Sequence, residues 1–393
     1  MRLTHIALES FRSYPAAELQ LDPGLTIVAG PNGAGKTNLL EAIFVTITGR
    51  SHRAAADHEL VHHGAPWARV RLDLAPDDSP ERGDPARIEL LIPGVTPPPG
   101  VRKRLLVNGV ARRFSSVSET ARAVLFRPEE MLLLVGSPGE RRRFLDGILA
   151  QRDRRVARDL VELGRILTQR NALLRAIRRE EASPEGMGFW DEQLVLVGSR
   201  VMAARLALVA ELQQRIGPLH DAVAPPDEEA ATVRLAYADS LKEAWTERNA
   251  GVPEPEHLLE PFRRRLDDVR QRELWNGVSL LGPQRDDLRV ELGGRDVAEH
   301  ASRGQQRTII LALKLAETEL LGEGDAPLPI VLLDDVFSEL DAERSERSLA
   351  LLVARGQVLV TMADLGAIPT KQRRGVPVWQ VDDGRLSLMP HVA

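Results

Sequence analysis

The chain has 393 residues, a formal net charge of −5, and 43% hydrophobic and 28% charged residues. This length exceeds what one ordinary hydrophobic core supports, so we expect two domains or one domain with a large insertion. The sequence contains no cysteine, which excludes disulfides and thiolate metal sites and favours a reducing cytoplasm. No apolar run approaches the roughly 20 residues of a membrane-spanning helix, and the negative net charge argues against a protein that is basic over its whole surface.

Strands dominate the first part of the chain. Apolar runs and period-two alternation predict strands at residues 3–8, 25–29, 70–74, 88–92 and 105–107. The last of these precedes Asn108-Gly109, which has the turn chemistry of a β-hairpin.

Helices dominate the middle of the chain. Apolar residues three and four apart predict helical segments at residues 140–178, 189–216 and 262–274, and a strand is predicted at 232–237. The spacing departs from a strict heptad, so we expect a compact helical lobe without a long coiled coil.

Strands return after Gly277, at residues 278–281, 288–292, 330–333 and 357–361, with a helix at 304–321. The last two strands are continuously apolar, which is typical of a parallel sheet covered on both faces. The sequence therefore predicts one nucleotide-binding α/β fold that is split by a helical lobe.

A glycine-rich loop follows the predicted strand at 25–29. Residues 30–37 read GPNGAGKT and fit the pattern G-x-x-x-x-G-K-[ST]. Its glycines let successive backbone N–H groups point at phosphate oxygens, and the following helix adds its positive end. Lys36 is expected to reach the β and γ phosphates and Thr37 to ligate Mg²⁺. The alternative is an ordinary strand-to-helix turn without a ligand.

A second motif, IVLLDD, occupies residues 330–335. An apolar strand that ends in carboxylates places Asp334 where it can hold Mg²⁺, and Asp335 where it can orient or deprotonate water. Many α/β strands end in Asp without such a role, so the motif gains its meaning beside the glycine loop. Residues 338–341, SELD, follow on the turn into the next helix, where Ser338 or Asp341 could alternatively be a helix N-cap.

A third motif, SRGQQ, precedes the predicted helix at 304–321. Ser302 and the N–H groups from Gly304 onward can form a second anion-binding helix start. A capped helix without a ligand explains the same residues equally well. A kinase or small GTPase does not need this element, whereas an ATPase whose sites form between two molecules does.

Together the three motifs and SELD resemble the ABC-type ATPase heads, and their order and spacing resemble the RecF family of DNA-repair ATPases. The likeness extends to IALESFRSY at 6–14, to FRPEE at 126–130, to the segment at 136–146 and to GPQRDD at 282–287. It implies an α/β fold, a P-loop ABC-type ATPase head with a mixed sheet flanked by helices and an inserted helical lobe. Residues 1–120 and 276–393 are the expected parts of the ATPase lobe, and 121–275 the helical lobe.

The resemblance also implies roles for individual residues. ATP is expected at Gly30, Pro31, Asn32, Gly33, Ala34, Gly35, Lys36, Thr37 and Asn38, with Lys36 and Asp335 catalytic. Thr37 and Asp334 are expected to bind Mg²⁺. Ser302, Arg303, Gly304 and Gln305 are expected to act on ATP of a second molecule, with Asp341 at the dimer seam.

Three positions depart from these patterns. Asp335 stands where most ABC ATPases have Glu, which implies slow hydrolysis. Gln284 stands where the family has His, and Thr361 where transporter motors keep a His. We place the equivalent of the transporter glutamine loop at residues 127–130.

The family implies a cytoplasmic, weakly active DNA-dependent ATPase that dimerises on ATP. It implies binding to duplex DNA and single-strand/double-strand junctions, in replication, recombinational repair and the SOS response, with a RecR-type mediator and no membrane. Candidate DNA contacts are Arg141, Arg142, Arg143, Arg154 and Arg155, although a solvated helix face explains them as well. No platform of aromatic and basic residues is evident in the sequence, which favours contact with the duplex backbone. The alternative functions are a transporter's nucleotide-binding subunit and another P-loop ATPase that does not act on DNA.

Overall fold

The computed structural model describes residues 1–76, 84–225, 231–241, 251–339, 342–367 and 373–389. The chain folds as two compact units. The first comprises Met1–Glu130, Ala222–Asp227 and Lys314–Ala393, and the second comprises Met131–Asp221 and Glu228–Leu313. This division differs from the boundaries predicted at 120 and 275: residues 121–130 belong with the first unit, and residues 276–313 with the helical one.

An antiparallel sheet of six strands forms one layer of the first unit. Its order is β2-β1-β4-β5-β6-β7. The strands are β1 (Arg2–Phe11), β2 (Tyr14–Gln20), β4 (Trp67–Ala75), β5 (Ala86–Pro93), β6 (Arg104–Val107) and β7 (Val110–Arg112). Asn108 and Gly109 both have positive φ, 51° and 76°, so the hairpin turn predicted between β6 and β7 is confirmed.

The second sheet of this unit also has six strands, in the order β15-β14-β3-β13-β12-β8. They are β3 (Leu25–Ala29), β8 (Ala123–Phe126), β12 (Ile330–Asp334), β13 (Val358–Met362), β14 (Val378–Asp382) and β15 (Arg385–Leu388). All neighbours pair in parallel except β15, which is antiparallel to β14. Every residue of β12 and β13 is buried, as the continuous apolar runs predict.

Among the described residues, two α-helices belong wholly to the first unit, α1 (Lys36–Thr48) and α9 (Ala342–Val353). The helix α8 (Arg303–Leu321) begins in the second unit and ends in the first. Leu39, Leu40 and Ile43 of α1 lie in one hydrophobic core with residues of both sheets. The parallel sheet with α1 and α9 gives the first unit the α/β architecture that the sequence predicts.

The second unit is mainly helical. Its helices are α2 (Leu132–Val135), α3 (Pro138–Arg152), α4 (Arg154–Arg178), α5 (Met187–Val223), α6 (Pro255–Asn276) and α7 (Val297–His300). The helical region predicted at 140–178 is two helices, because Asp153 is extended and its carboxylate caps α4 by accepting from the Arg155 N–H. A three-stranded antiparallel sheet, β11-β10-β9, completes the unit with β9 (Val233–Ala238), β10 (Asp287–Leu292) and β11 (Arg295–Asp296).

The α5 region meets the length and composition of a membrane-spanning helix, which the sequence analysis did not expect. The segment Pro184–Val223 contains a window of mean hydropathy 1.5, of which 61% is buried inside the protein. Leu194, Val197 and Val201 lie in the hydrophobic core of the helical unit. Burial of this kind is what the central helix of a helical domain requires.

The strand predicted at 278–281 is wrong. The Ser279 N–H donates to the Asn171 side chain at 2.7 Å, and the Leu280 N–H donates to the Glu273 carboxylate at 2.7 Å. Side chains of neighbouring helices therefore satisfy the backbone groups that a strand partner would satisfy. Apolar content alone does not reveal this, since Val278 and Leu280 have the period-two spacing of a short strand.

Candidate nucleotide site

The glycine loop and the carboxylate strand lie at one edge of the parallel sheet. Val28 of β3 pairs with Thr361 of β13, and Thr361 pairs with Asp334 of β12. Since the three strands are parallel, the loop that follows β3 and the carboxylate that ends β12 are separated by a single strand. The predicted pairing of the two motifs is thus present in the sheet register.

The loop itself has the backbone that its glycines allow. Gly33 and Gly35 have φ of 83° and 115°, in the left-handed region that favours glycine. A Cβ atom on Gly30 would lie 2.3 Å from the Val381 carbonyl oxygen, so only glycine fits there. The Lys36 ammonium donates to the carbonyl oxygens of Gly30 at 2.8 Å and Pro31 at 3.0 Å. The loop is therefore wrapped around the charge of Lys36.

The turn between β1 and β2 supports the glycine loop, which the sequence analysis missed. The buried Tyr14 hydroxyl donates to the Gly35 carbonyl oxygen at 2.9 Å, and burial raises the pKa of Tyr14. The Asn38 amide donates to the Ser13 hydroxyl at 2.9 Å. FRSY thus marks a brace for the loop, and the pairing was invisible because 21 residues separate Tyr14 from Gly35.

An ion pair fixes the direction of α1. Arg12 donates to both oxygens of the fully buried Glu41 carboxylate, at 2.9 and 3.0 Å. Burial raises the pKa of Glu41, but the hydrogen bonds from Arg12 and Ser51 outweigh it and hold that pKa below its usual value. The helix that begins at Lys36 is therefore tied to the same turn that braces the loop.

The two carboxylates at the end of β12 have different surroundings. Asp334 is 7% exposed and accepts from the Thr361 hydroxyl at 2.7 Å. Asp335 is half-buried and has φ of 51°, and its N–H donates to the Thr361 carbonyl oxygen at 3.1 Å. A left-handed conformation is uncommon for residues other than glycine, although aspartate and asparagine adopt it more readily than most, and such conformations are concentrated at functional sites. Thr361 is fully buried, and its hydroxyl orients the Asp334 carboxylate.

The donor set at this edge fits a magnesium ion that is held partly by phosphate. Asp334 and Thr37 offer a carboxylate and a hydroxyl, the oxygen ligands that Mg²⁺ prefers. Among the described residues, no group of three or more His, Asp or Glu side chains could hold a metal alone. Magnesium bound by one or two protein oxygens and by substrate phosphates is common in nucleotide sites.

The segment at 127–130 starts at the same edge of the sheet, because β8 runs parallel to β12 and Phe126 pairs with Leu333. Arg127 donates through Nε and a terminal nitrogen to one Glu130 oxygen, each at 3.2 Å. The position agrees with the segment we assigned to the glutamine loop, whose role stays a prediction.

The signature residues form the start of α8 in the second unit. The Ser302 hydroxyl accepts from the Gln305 N–H at 3.2 Å, and the Gln305 side chain accepts from the Ser302 N–H at 2.9 Å. This reciprocal pair is a capping box. Ser302 and Arg303 are exposed, and Gly304 and Gln305 are partly so. The capped helix that we considered as an alternative is present, and it leaves the Ser302 O–H free to donate to another group.

The predicted DNA contacts are not equivalent in the structure. Arg141 donates to both oxygens of Asp287, at 2.6 and 2.9 Å, and Arg142 donates to the Asp286 carbonyl oxygen at 2.7 Å. These two arginines hold the loop of GPQRDD and are poor candidates for phosphate contact. Arg143 is exposed and pairs with Glu140, and Arg154 and Arg155 lie exposed in the first turn of α4.

Gln284 and Asp341 are the two remaining predicted positions. The Gln284 amide donates to the Leu281 carbonyl oxygen at 2.7 Å, and its own oxygen is buried without a partner. Asp341, the predicted seam residue, lies outside the described residues.

The family model of the RecF/RecN/SMC N-terminal domain matches residues 2–374. The chain is 40% identical to the DNA replication and repair protein RecF of Kineococcus radiotolerans over 385 residues, 95% of each chain. It is 36% identical to the protein of the same name from Chloroflexus aurantiacus over 403 residues, 98% of this chain and 99% of that one.

Two solved structures share the fold over nearly the whole chain. They are described as the recombination mediator protein RecF with ATPrS and with ATP in the RecFOR pathway. Both are 26% identical, with TM-scores of 0.86 and 0.85, and cover 99% of this chain and 98% and 97% of those chains. An SMC head bound to the C-terminal winged-helix domain of ScpA is 15% identical at a TM-score of 0.54, with 100% and 99% covered, and supports the ATPase-head fold alone.

Proposed function

Because the chain belongs to the RecF family of the RecF/RecN/SMC group, we propose that it is an ATP-dependent DNA-binding protein of replication and recombinational repair. The observation that carries this proposal is the pairing of the glycine loop with Asp334 across one strand of the parallel sheet. The similarity to RecF structures described with ATP and ATPrS supports the choice of nucleotide.

The residues of the first unit take distinct parts in nucleotide binding. The backbone N–H groups of residues 30–38 cradle the phosphates, and Lys36 exchanges the carbonyls of Gly30 and Pro31 for phosphate oxygens. Thr37 and Asp334 are the residues that would hold Mg²⁺, which neutralises phosphate charge when bound.

Hydrolysis depends on Asp335. Its carboxylate orients or deprotonates the attacking water, and the left-handed backbone sets the direction of the side chain. Aspartate is shorter than the glutamate of most ABC ATPases and reaches water less well, so we expect weak, DNA-dependent hydrolysis.

The signature acts on ATP bound by a second copy of the chain. The Ser302 hydroxyl keeps its proton for a γ-phosphate oxygen because its lone pair already accepts from Gln305. Gly304 contributes the positive end of α8, and Arg303 is exposed beside it. Asp341 is proposed at the seam of the same dimer. ATP therefore promotes dimerisation, and loss of the γ-phosphate releases it.

The dimer is proposed to act in the cytoplasm on gapped DNA and single-strand/double-strand junctions, during recombinational repair and the SOS response. A RecR-type mediator is the proposed partner in loading recombinase. Arg143, Arg154 and Arg155 are the remaining candidates for contact with the duplex backbone.

Binding of a gapped duplex, titrated against salt with ATP, ADP and no nucleotide, tests the function. We expect at least tenfold tighter binding with ATP, and a linear fall of log K with log salt, at about 0.9 per phosphate contact. Equal binding in the three nucleotide states would exclude an ATP-gated clamp and leave a constitutive DNA binder. No binding in any state would refute the proposed function.

A further inference from the structure

An indole ring stands in solvent at one end of the helical unit. Trp275, in the last turn of α6, is 83% exposed, the largest value among the exposed large hydrophobic side chains of the described residues. Tryptophan carries a large apolar surface that folding usually buries at least in part. A ring left so exposed is available to a flat ligand.

Three arginines lie near Trp275 in sequence or beside the turn that follows it. Arg272 precedes Trp275 by three residues on α6 and shares its face, at a Cβ separation of about 5–6 Å. Arg178, in the last turn of α4, donates to the Asn276 carbonyl oxygen at 3.0 Å. A Cβ atom on Gly277 would lie 3.3 Å from the Arg178 Nε and 3.4 Å from the Arg175 Cγ. We call Arg175, Arg178, Arg272 and Trp275 the Trp275 patch.

The charges of this patch are not neutralised. Among the described residues, no carboxylate lies within ion-pair distance of its three arginines, all of which are exposed. Many other arginines of the same unit face an acid: Arg141, Arg143, Arg152, Arg165, Arg170, Arg200, Arg205, Arg263, Arg264, Arg265 and Arg270. The patch therefore carries net positive charge, although exposed arginines without a paired carboxylate also occur elsewhere in the described part of this unit, for example Arg155 and Arg289.

The backbone beneath the ring is held firmly. Glu273, two residues before Trp275, is 1% exposed and accepts from Arg170 at 2.6 Å and from the Leu280 N–H at 2.7 Å. Arg170 also donates to Asp191 of α5. Since this buried cluster links α4, α5 and α6, the helix backbone that carries Trp275 is held in place before any ligand binds.

We propose that the Trp275 patch binds single-stranded DNA, with a base stacked on Trp275 and phosphates on its arginines. This inference rests on the proposed function and names the surface that takes the single-stranded arm of a junction. An exposed aromatic face with unpaired cations is the combination that single-stranded nucleic acid requires, because its bases are free to stack. Duplex DNA offers phosphates but no base face. The sequence did not reveal the patch because its residues come from helices about 100 positions apart.

Stabilisation of helix ends explains the arginines in part, since cations in a last turn interact favourably with the helix dipole. It does not explain the tryptophan. The two accounts differ in what a change at residue 275 does: only a stacking site loses DNA affinity while the thermal stability of the chain is unchanged.

The test compares Trp275→Ala, Trp275→Phe and the wild type in the full chain with ATP. Fluorescence anisotropy measures binding to an oligothymidylate, to a blunt duplex and to the same duplex with a single-stranded overhang. We expect Trp275→Ala to weaken binding to the oligothymidylate and the overhang about tenfold, and Trp275→Phe to recover most of it. Affinity for the blunt duplex should stay within twofold of the wild type.

The arginines have a matched control on the same helix. Arg272→Gln should lower the salt slope for oligothymidylate by about 0.7, the value of one phosphate on a single strand. Arg264→Gln removes the same charge from an exposed position of α6 that pairs with Glu260, and should leave the slope unchanged.

Unchanged overhang affinity in Trp275→Ala, or an equal loss for the blunt duplex, would overturn this inference while the proposed function stands. Unchanged DNA affinity with loss of a protein partner would assign the ring to a protein contact, which also overturns it. Failure of the wild type to bind any of the three DNAs would refute both.

Discussion

Two helix starts in this molecule belong to the proposed nucleotide site, and they are built in opposite ways. At α1, Gly33 and Gly35 take left-handed conformations, and the loop curls around Lys36. At α8, Ser302 and Gln305 close a capping box on each other. The start of α1 presents the Lys36 charge and a set of backbone N–H donors. At the start of α8, the Gln305 N–H already donates to the Ser302 hydroxyl.

We call the glycine loop before α1 the open corner and the start of α8 the capped corner. Their difference favours a division of labour in which each has its own part in the proposed site. The open loop can hold a triphosphate by itself, because glycine geometry directs its N–H groups inward. The capped start offers mainly one oriented hydroxyl and a helix dipole, which are too few to hold ATP alone. The capped corner is therefore suited to complete a site that another molecule has already filled.

Removal of the loop charge should have the largest effect. Lys36→Met keeps the length of a 7% exposed side chain but removes its charge-assisted hydrogen bonds. We expect ATP affinity to fall at least a hundredfold, because a hydrogen bond to a charged group contributes about 1.5–3 kcal/mol and two are lost. Calorimetry measures this. Lys103→Met, at a lysine paired with Asp57, is the control, and near-normal ATP binding by Lys36→Met would refute the assignment.

Loss of the second carboxylate should separate binding from hydrolysis. Asp335→Asn keeps the shape and the Thr361 backbone contact but cannot act as a base. We expect hydrolysis to fall about a hundredfold with ATP affinity unchanged, since general-base catalysis contributes 10²–10⁴-fold. Phosphate release measures hydrolysis, and calorimetry measures ATP affinity. Asp335→Asn that hydrolyses ATP at the normal rate would remove Asp335 from the mechanism.

A change at the capped corner should affect dimers and spare the monomer's ATP binding. Ser302→Ala removes both the cap and the hydroxyl, and we expect about tenfold weaker ATP-dependent dimerisation. The lost cap also lowers the free energy of unfolding by about 1 kcal/mol. Ser302→Thr retains both functions and is the control. A monomeric ATP affinity that falls with Ser302→Ala would contradict the division of labour.

The brace under the loop should give the smallest effect. Tyr14→Phe removes only the hydroxyl that donates to Gly35. We expect ATP affinity to fall about three- to fivefold, because a typical hydrogen bond contributes about 1 kcal/mol. Thermal unfolding with and without ATP measures the loss. An unchanged ATP-induced shift in Tm would show that the glycine loop keeps its shape without Tyr14.

Local patterns predicted much of this structure. The glycine loop, the strand before Asp334 and the hairpin at Asn108-Gly109 all depend on residues close together in sequence. The alternation of β4 and the apolar runs of β12 and β13 likewise reflect each strand's own burial. S-x-x-Q at 302–305 is itself a capping-box pattern.

The sequence did not predict contacts between residues that are far apart in the chain. The brace from Tyr14 to Gly35, the bond from Thr361 to Asp334 and the use of Arg141 by Asp287 each join residues 21, 27 or 146 positions apart. Nothing in the local pattern distinguishes Arg141, which is tied to Asp287, from its exposed neighbour Arg143. Such contacts depend on how elements pack, which periodicity does not encode.

The central claim is that two copies of the chain share each ATP, and mixing two inactive variants tests it most directly. Lys36→Met lacks a working loop, and Ser302→Ala lacks a working signature, so neither alone should dimerise well with ATP. A mixed dimer has one site with Lys36 of one chain and Ser302 of the other, and one site with neither. We predict that an equimolar mixture regains ATP-dependent dimers in sedimentation velocity, to a level well above that of either variant alone. A mixture that stays as monomeric as its two components would contradict the account.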